Sequence, residues 1–374
     1  MRKFIFMFCA IIISMFSTIA CSQEFITKFG TDIYLNNKAF YFSGANQYYL
    51  FYKSQKMVDE VIEDAAQMNL NIIRTWGFCD GESKEGYSFQ PKPRVYDEAT
   101  FKKMDYILYK SSKHNIKLVI PLVNNWDDMG GMAQYGRWAN TYNHDDFYGH
   151  PWIRQVYKDY INYFLNRTNT ITGIQYKDDP TIAIWELGNE PRHQSETTST
   201  TFQNWVEEMS RYIKSIDPNH LVSIGDEGFL ANNPKGDWLH NGSQGNDWVQ
   251  NNMVSSIDIV TFHLYPDTWG LSEEQSKFWI SEHLDIAKNV IKKPVYMGEF
   301  GVKDRSKRDR IFSDWYDLST YRGMQGILFW LLSGHQDDGS FYPDYDGFTV
   351  YYPEDNTSLL IKNKSMAFLD RSLD

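Results

Sequence analysis

Two short strings in this chain place a glutamate where an apolar, β-branched run gives out: Trp-Glu-Leu-Gly-Asn-Glu-Pro-Arg at 185–192 and Val-Tyr-Met-Gly-Glu-Phe-Gly at 295–301. Paired carboxyls suit the breaking of a glycosidic bond. One must stay protonated to give its proton to the departing oxygen, while the other stays ionised to attack the anomeric carbon. Glu190 is assigned the first role and Glu299 the second. The same kind of position, just past an apolar run, holds Asn46, Arg74 with Trp76, Asn124-Asn125-Trp126, Asn189, Asp226-Glu227, His263 with Tyr265, and Trp330. Arg74 can keep Glu299 ionised by charge and hydrogen bonding, and Tyr265 can donate to it as well. Glu190 is expected among apolar and amide neighbours that raise its pKa. Asn189 can hydrogen-bond a sugar 2-hydroxyl, and Trp330 offers a flat face to the sugar whose bond is cut. Taken singly, Arg74 is as readily a structural ion-pair partner and His263 a satisfied core histidine. Glu186 is a rival acid, but it lies inside its strand run and is expected to be buried and hydrogen-bonded. The joint placement of so many polar residues at run ends favours a site.

Such residues converge only if the runs lie side by side. Eight candidate strands can be drawn: Phe40–Ala45, Asn71–Arg74, Lys117–Val123, Thr181–Leu187, Leu221–Ile224, Ile257–Leu264, Val295–Glu299 and Gly326–Leu331. Between them, apolar residues at i, i+3, i+4 spacing predict helices over Met57–Met68, Glu98–His114, Ile153–Arg167, Phe202–Ile216, Glu273–Ile291 and Arg308–Tyr321. Asp217-Pro218-Asn219 and Lys293-Pro294 stand where helices end. The alternation predicts an α/β fold, a (β/α)8 TIM barrel, whose site forms at the C-terminal ends of the strands. Ahead of it, Phe25–Phe29 and Ile33–Leu35 around a Gly30-Thr31-Asp32 turn predict a short β-hairpin that could plug the lower end. At 374 residues the chain suits one barrel of ~250 residues with insertions, and the catalytic barrel is placed at residues 25–374.

With 42% hydrophobic and 23% charged residues the composition is that of a folded globular chain, and the 16% aromatic share suits sugar faces as well as a core. Acidic residues outnumber basic ones, 48 to 37, which argues against nucleic acid as a partner. Residues 1–20 carry Arg2 and Lys3, then an apolar run, and read as a secretory signal peptide of lipoprotein type. Thr18-Ile19-Ala20-Cys21 resembles a lipobox, so Cys21 would be acylated, residues 21–24 would form a tether, and the only membrane contact would be that lipid anchor. Leucine is usual where Thr18 stands, and plain secretion is the alternative. Cys79 is left as a thiol. No His-x-His pair or clustered ligand set marks a metal site, no cofactor is expected, and a monomer is expected.

The strings Ile72–Phe78 (IIRTWGF), Val123–Gly131 (VNNWDDMGG), Asn169–Arg192 (NTITGIQYKDDPTIAIWELGNEPR), Ser215–Phe229, Phe262–Trp269 (FHLYPDTW), Lys293–Gly301 and Gln336–Asp355 together resemble glycoside hydrolase family 5, and within it the endo-β-1,4-mannanases. The resemblance covers most of Phe25 to Ser365. It implies Glu190 as acid/base, Glu299 as nucleophile, and Arg74, Asn189, His263, Tyr265 and Trp330 as the partners around them; Trp76, Asn124 and Trp126 are candidate substrate contacts from their places at run ends. It also implies that Arg192 reaches into the leaving-group subsites and that the partner is a β-mannan polysaccharide or oligosaccharide. Many family 5 cellulases carry a histidine where Asn124-Asn125-Trp126 stands, which favours the mannanase branch. His114 falls at the opposite end of the barrel and receives no role. The alternatives are an exo-acting mannobiohydrolase or another family 5 β-glycanase, and a non-catalytic surface glycan-binding lipoprotein.

Overall fold

The computed structural model describes residues 25–81, 83–195 and 200–371. The signal peptide, the tether and the lipid anchor on Cys21 lie outside the described residues. Eight strands form one sheet: β1 Phe42–Asn46, β2 Ile72–Arg74, β3 Lys117–Pro121, β4 Ile182–Glu186, β5 Leu221–Ser223, β6 Val260–Leu264, β7 Val295–Phe300 and β8 Gly326–Phe329. Every laddered neighbour is parallel, and β8 pairs β1 with Gly326 opposite Phe42. Between β5 and β6 single hydrogen bonds replace a ladder, Asp258 N to Val222 O at 2.8 Å and His263 N to Glu227 O at 3.1 Å, and these bring the sheet round into a barrel.

The strands read as almost unbroken apolar runs because both faces are covered. Inward-pointing Phe42, Ile72, Val119, Ile184, Leu221, Ile259, Tyr296 and Leu328 fill the lower interior. Ile26 and Ile33, from the predicted hairpin, complete that cluster and stopper the barrel from below. The hairpin pairs Thr27–Phe29 with Asp32–Leu35, so Asp32 belongs to the strand rather than the turn, and Lys38–Ala39 adds a third strand.

Outward-facing residues meet the helices, whose starts are set by side chains that accept from otherwise unpaired N–H groups. Ser54 caps Gln55–Gln67, Asp97 caps Glu98–Lys113, Asp304 caps Arg305–Arg322, and Ser272 with Gln275 forms a capping box on Glu273–Ile286. The helix expected to run to Ile291 stops as an α-helix at Ile286 and widens into a π turn over Ala287–Ile291, ended by Lys292 in the left-handed region. The strand expected to begin at Ile257 begins at Val260, because the Asp258 carboxylate instead accepts from Val222 N across the seam. Only the short helix Trp248–Asn252 stands between β5 and β6, and the last helix, Asn356–Asp370, packs on β1, with Ser365 Oγ 2.7 Å from Ser43 Oγ. Cys79 is buried, which pushes its thiol up to about 12. Among the described residues no helix is long and apolar enough to cross a membrane.

Candidate active site

The upper ends of the strands open into a cavity of about 860 Å³, and Glu190 and Glu299 line it with Trp76, Asn124, Trp126, Asn189, Arg192, Tyr265 and Trp330. Arg74 and His263 lie directly beneath, both fully buried. The sequence-predicted residues therefore form a single constellation, with Asn46 in its lower wall.

Arg74, at the end of β2, is fixed by acceptors on every side. Its Nη1 donates to Glu299 Oε1 at 2.6 Å and Asn46 Oδ1 at 3.0 Å, its Nε to Glu186 Oε2 at 2.8 Å, and its Nη2 to Asn189 Oδ1 at 2.8 Å. Glu186 is the buried, hydrogen-bonded glutamate its place inside β4 predicts, and it also accepts from Tyr296 OH at 2.5 Å. Tyr265, just past β6, donates to Glu299 Oε2 at 2.6 Å. One cation thus serves two buried carboxylates. Replacing Arg74 by alanine leaves both without it, and we expect a loss of roughly 3–5 kcal/mol of stability, seen as a lower Tm. The Glu299 pKa rises further in that variant, so the acidic limb of the pH–rate profile moves upward. An unchanged limb with weaker substrate binding would make Arg74 a sugar contact instead.

Glu190 departs from the sequence expectation. Its neighbours are donors rather than apolar and amide groups: Trp126 Nε1 lies 2.6 Å from Oε2, and His263 Nδ1 2.8 Å from Oε1. Burial pushes the carboxyl up, but the His263 hydrogen bond and charge, the Trp126 N–H and the Arg192 charge outweigh it and hold Glu190 below the usual carboxylate range. At Glu299 burial prevails, helped by the Glu190 charge against the pull of His263, Arg74 and Tyr265, and its pKa is raised. His263 is itself raised: burial opposes its charge, and the Glu299 and Glu190 carboxylates more than compensate. One oxygen of Glu190, one of Glu299 and a His263 nitrogen all lie within 4.8 Å of one another. They are the one group among the described residues close enough to share a metal ion, yet their facing atoms already bond to one another, to Arg74 and to Tyr265.

The backbone that presents these groups is tight. Glu190 sits at φ 54°, a left-handed conformation uncommon outside glycine and asparagine. Asn189 N is tied to Val123 O at 2.7 Å, and Asn189 Nδ2 donates to Asn124 Oδ1 at 3.0 Å. The Asn124–Trp126 segment folds back under Gly130 and Gly131, where a Cβ would come within 1.8 Å of Asp80 O and 2.2 Å of Trp126 O. No larger residue fits there.

Beyond Glu190, Arg192 grips Glu227 through Nε and Nη2 at 2.5 and 2.6 Å and donates to Gln244 Oε1 at 2.6 Å, its guanidinium lying over the Trp126 ring at 5.2 Å. Burial and the Glu190 charge push Glu227 up to about 7 against the pull of Arg192. Beyond Glu299, Trp330 stacks on Tyr48 (6.0 Å, 18°) and meets Trp76 at 5.8 Å. Trp76 is almost wholly buried, while Trp126 is 40% exposed at the rim. Tyr48, Glu227, Trp238, Trp269, Tyr342, Tyr345 and Asp346 also line the cavity and were not singled out as site residues from sequence. Glu227 was visible as the acid after β5, and Tyr48 lies two residues past the end of β1. Trp269 ends the short helix Pro266–Trp269 just past β6, and the others come from loops whose return to the barrel mouth leaves no periodic signal.

A family model described as family 5 β-mannosidase-like matches residues 23–324. Mannan endo-1,4-β-mannosidase 1 of Arabidopsis thaliana is 36% identical over 93% of this chain and 91% of its own length, and mannan endo-1,4-β-mannosidase 4 of Solanum lycopersicum 38% over 92% of each. Among solved structures, the endo-β-1,4-mannanase of Thermotoga petrophila superposes with TM-score 0.84 at 40% identity, covering 89% of this chain and 78% of that one. The endo-1,4-β-mannanase of Rhizomucor miehei gives 0.85 at 34%, covering 92% and 99%. The barrel, the two glutamates across its mouth and these likenesses agree: the chain is a glycoside hydrolase and belongs to family 5, in its β-mannosidase-like group.

Proposed function

We propose that the chain is a retaining endo-β-1,4-mannanase that cuts internal bonds of mannan, galactomannan or glucomannan by double displacement. The observation that carries this reading is the short span between the Glu190 and Glu299 carboxylates, with oxygens within 4.8 Å. Retaining glycosidases hold their carboxyls about 5–5.5 Å apart, whereas inverting ones leave roughly 6.5–9.5 Å for a water.

Glu299 attacks the anomeric carbon as the bond to the leaving oxygen breaks, and Glu190 gives that oxygen a proton. Water, deprotonated by Glu190, then releases the sugar from Glu299. The His263–Glu190 contact supplies the proton. Imidazolium with carboxylate and imidazole with carboxylic acid contain the same number of protons, and the second form is favoured when a neutral sugar fills the cleft and excludes water. Transfer from Nδ1 to Oε1 therefore arms Glu190 within the bound complex, and Arg74 and Tyr265 hold Glu299 as the carboxylate. Asn189, held by Arg74 and Asn124, is assigned the 2-hydroxyl, and Trp330 the face of the sugar being cut. Arg192 and Trp126, beside the acid, are assigned the leaving-group side, and Trp76 supports Trp330 from below.

Endo action follows from the named activity of the relatives, each a mannan endo-1,4-β-mannosidase. Galactomannan should lose most of its viscosity while few reducing ends have formed. Release of reducing ends at nearly constant viscosity would leave the exo-mannobiohydrolase reading. We further infer export through the signal peptide and anchoring through Cys21, supported by the Thr18–Cys21 string. Cys21→Ser should move the protein from the membrane fraction to the soluble one.

A further inference from the structure

The loop after β8 presents to the cleft a carboxylate, Asp346, that forms no ion pair within 4 Å among the described residues. Asp346, half-buried, lines the cavity next to Trp330, Tyr265 and Glu299. Its Oδ2 accepts the Trp330 indole N–H at 2.6 Å and its Oδ1 the Phe348 amide at 3.0 Å. Of the basic residues nearby, Lys303 lies along Gly347 with its Nζ 4.9 Å from the Phe348 ring, and the two arginines are held by other partners. Arg305 pairs with Asp344 and Asp355, and the fully buried Arg308 donates to the carbonyls of Val302 (2.6 Å), Gly347 (2.7 Å) and Thr349 (3.2 Å). Asp344 Oδ1 accepts from Gly347 N at 2.9 Å and Thr349 N at 3.2 Å, and the Phe348 ring stands edge-on to Tyr265 at 5.1 Å. Residues 344–349 are thereby pinned from behind, and Asp346 is held still.

A carboxylate oxygen has two lone pairs, so each Asp346 oxygen keeps one that its protein partner does not use. The Trp330 and Phe348 N–H groups take one acceptor position on each oxygen, and the positions left over belong to a residue that lines the cleft. Sugar hydroxyls are the donors that such a cleft receives. Glu190, Trp126 and Arg192 lie on the side of the acid, hence of the leaving group, and Asp346 lies on the side of Glu299 and Trp330, hence of the unit that keeps its anomeric carbon.

We propose that Asp346 is a specificity-determining sugar contact, accepting a hydroxyl of the mannosyl unit that stands on Trp330 while holding the indole as that unit's floor. This rests on the mannanase reading above. The charge also faces the positive character that grows on that unit in the transition state, so the contact strengthens as the bond breaks.

The test uses the full chain, Asp346→Asn and Asp346→Leu, with an aryl β-mannobioside and its 3- and 6-deoxy analogues in the unit bearing the aryl group, since the 2-hydroxyl is already assigned to Asn189. In the wild type one deoxy substrate should lose roughly 10- to 100-fold in kcat/KM, the size of a hydrogen bond to a charged group. Both variants should fall by a similar factor on the parent substrate, with kcat carrying part of the loss, and that one deoxy penalty should shrink to about twofold or less. The isosteric Asp346→Asn carries the comparison if Asp346→Leu does not fold. Equal deoxy penalties in wild type and variants would overturn the proposal and leave Asp346 a prop for Trp330. Absence of turnover by the wild type on any mannoside would instead sink the functional reading, and this inference with it.

Discussion

Glu299→Ala should retain the fold and lose turnover by roughly four or more orders of magnitude, because without the nucleophile the first displacement cannot occur. The carboxylate makes three close contacts, to Arg74, to Tyr265 and, at 3.8 Å, to the His263 imidazole. Each can accept its loss differently. Arg74 keeps Glu186 as counter-ion, Tyr265 can turn to solvent in the enlarged cleft, and His263 keeps Glu190. Cooperative thermal unfolding near the wild-type Tm would verify that the loss is chemical. Azide fits the vacated space and should restore turnover of an activated aryl mannobioside by direct displacement, giving the inverted α-mannosyl azide. Recovery of the β-azide would transfer the nucleophile's role to another group.

Glu190→Ala has the second-largest expected effect, and its size should depend on the leaving group. On mannan, where the departing sugar oxygen needs a proton, turnover should fall by about 10²- to 10⁴-fold. On a dinitrophenyl mannobioside the first step needs little acid, so the enzyme should release a burst of phenol and then stall as the mannosyl-enzyme, for want of a base. Azide should relieve the stall and give the retained β-azide. Removal of Glu190 also frees His263 Nδ1 and Trp126 Nε1, which are its hydrogen-bond donors. The basic limb of the pH–rate profile, which in the wild type reports the shared His263–Glu190 proton, should therefore vanish in the variant. A steady-state loss identical for good and poor leaving groups would contradict the assignment.

Much of this was legible in the sequence because it depends on local runs. Both-face burial makes each barrel strand a short apolar block, and a polar residue at or next to the end of that block falls under the barrel mouth, which is why the places of Arg74, His263 and Glu299 are legible in the sequence. The long string Asn169–Arg192 is legible for a different reason. Asp105 gathers Arg167, Thr170 and Tyr176 around one buried carboxylate, so much of that string is loop architecture that sets where β4 begins. What escaped was pairwise and long-range. That Trp126 and His263 would both donate to Glu190 depends on a loop 64 residues away in sequence and a strand 73 away, and no pattern within either segment encodes it. The environment of the acid was consequently expected with the wrong sign. Asp346 likewise sits in an irregular loop, and only the fold brings it to Trp330.

The stereochemistry of the first product tests the central claim most directly. Proton NMR of mannopentaose hydrolysis, recorded within the first minutes and before mutarotation, should show the β-anomer at the newly formed reducing end, with the α-anomer growing in only at the rate of spontaneous equilibration. Initial appearance of the α-anomer would mean single displacement by water, which would contradict the covalent role of Glu299 and the double-displacement mechanism built on it.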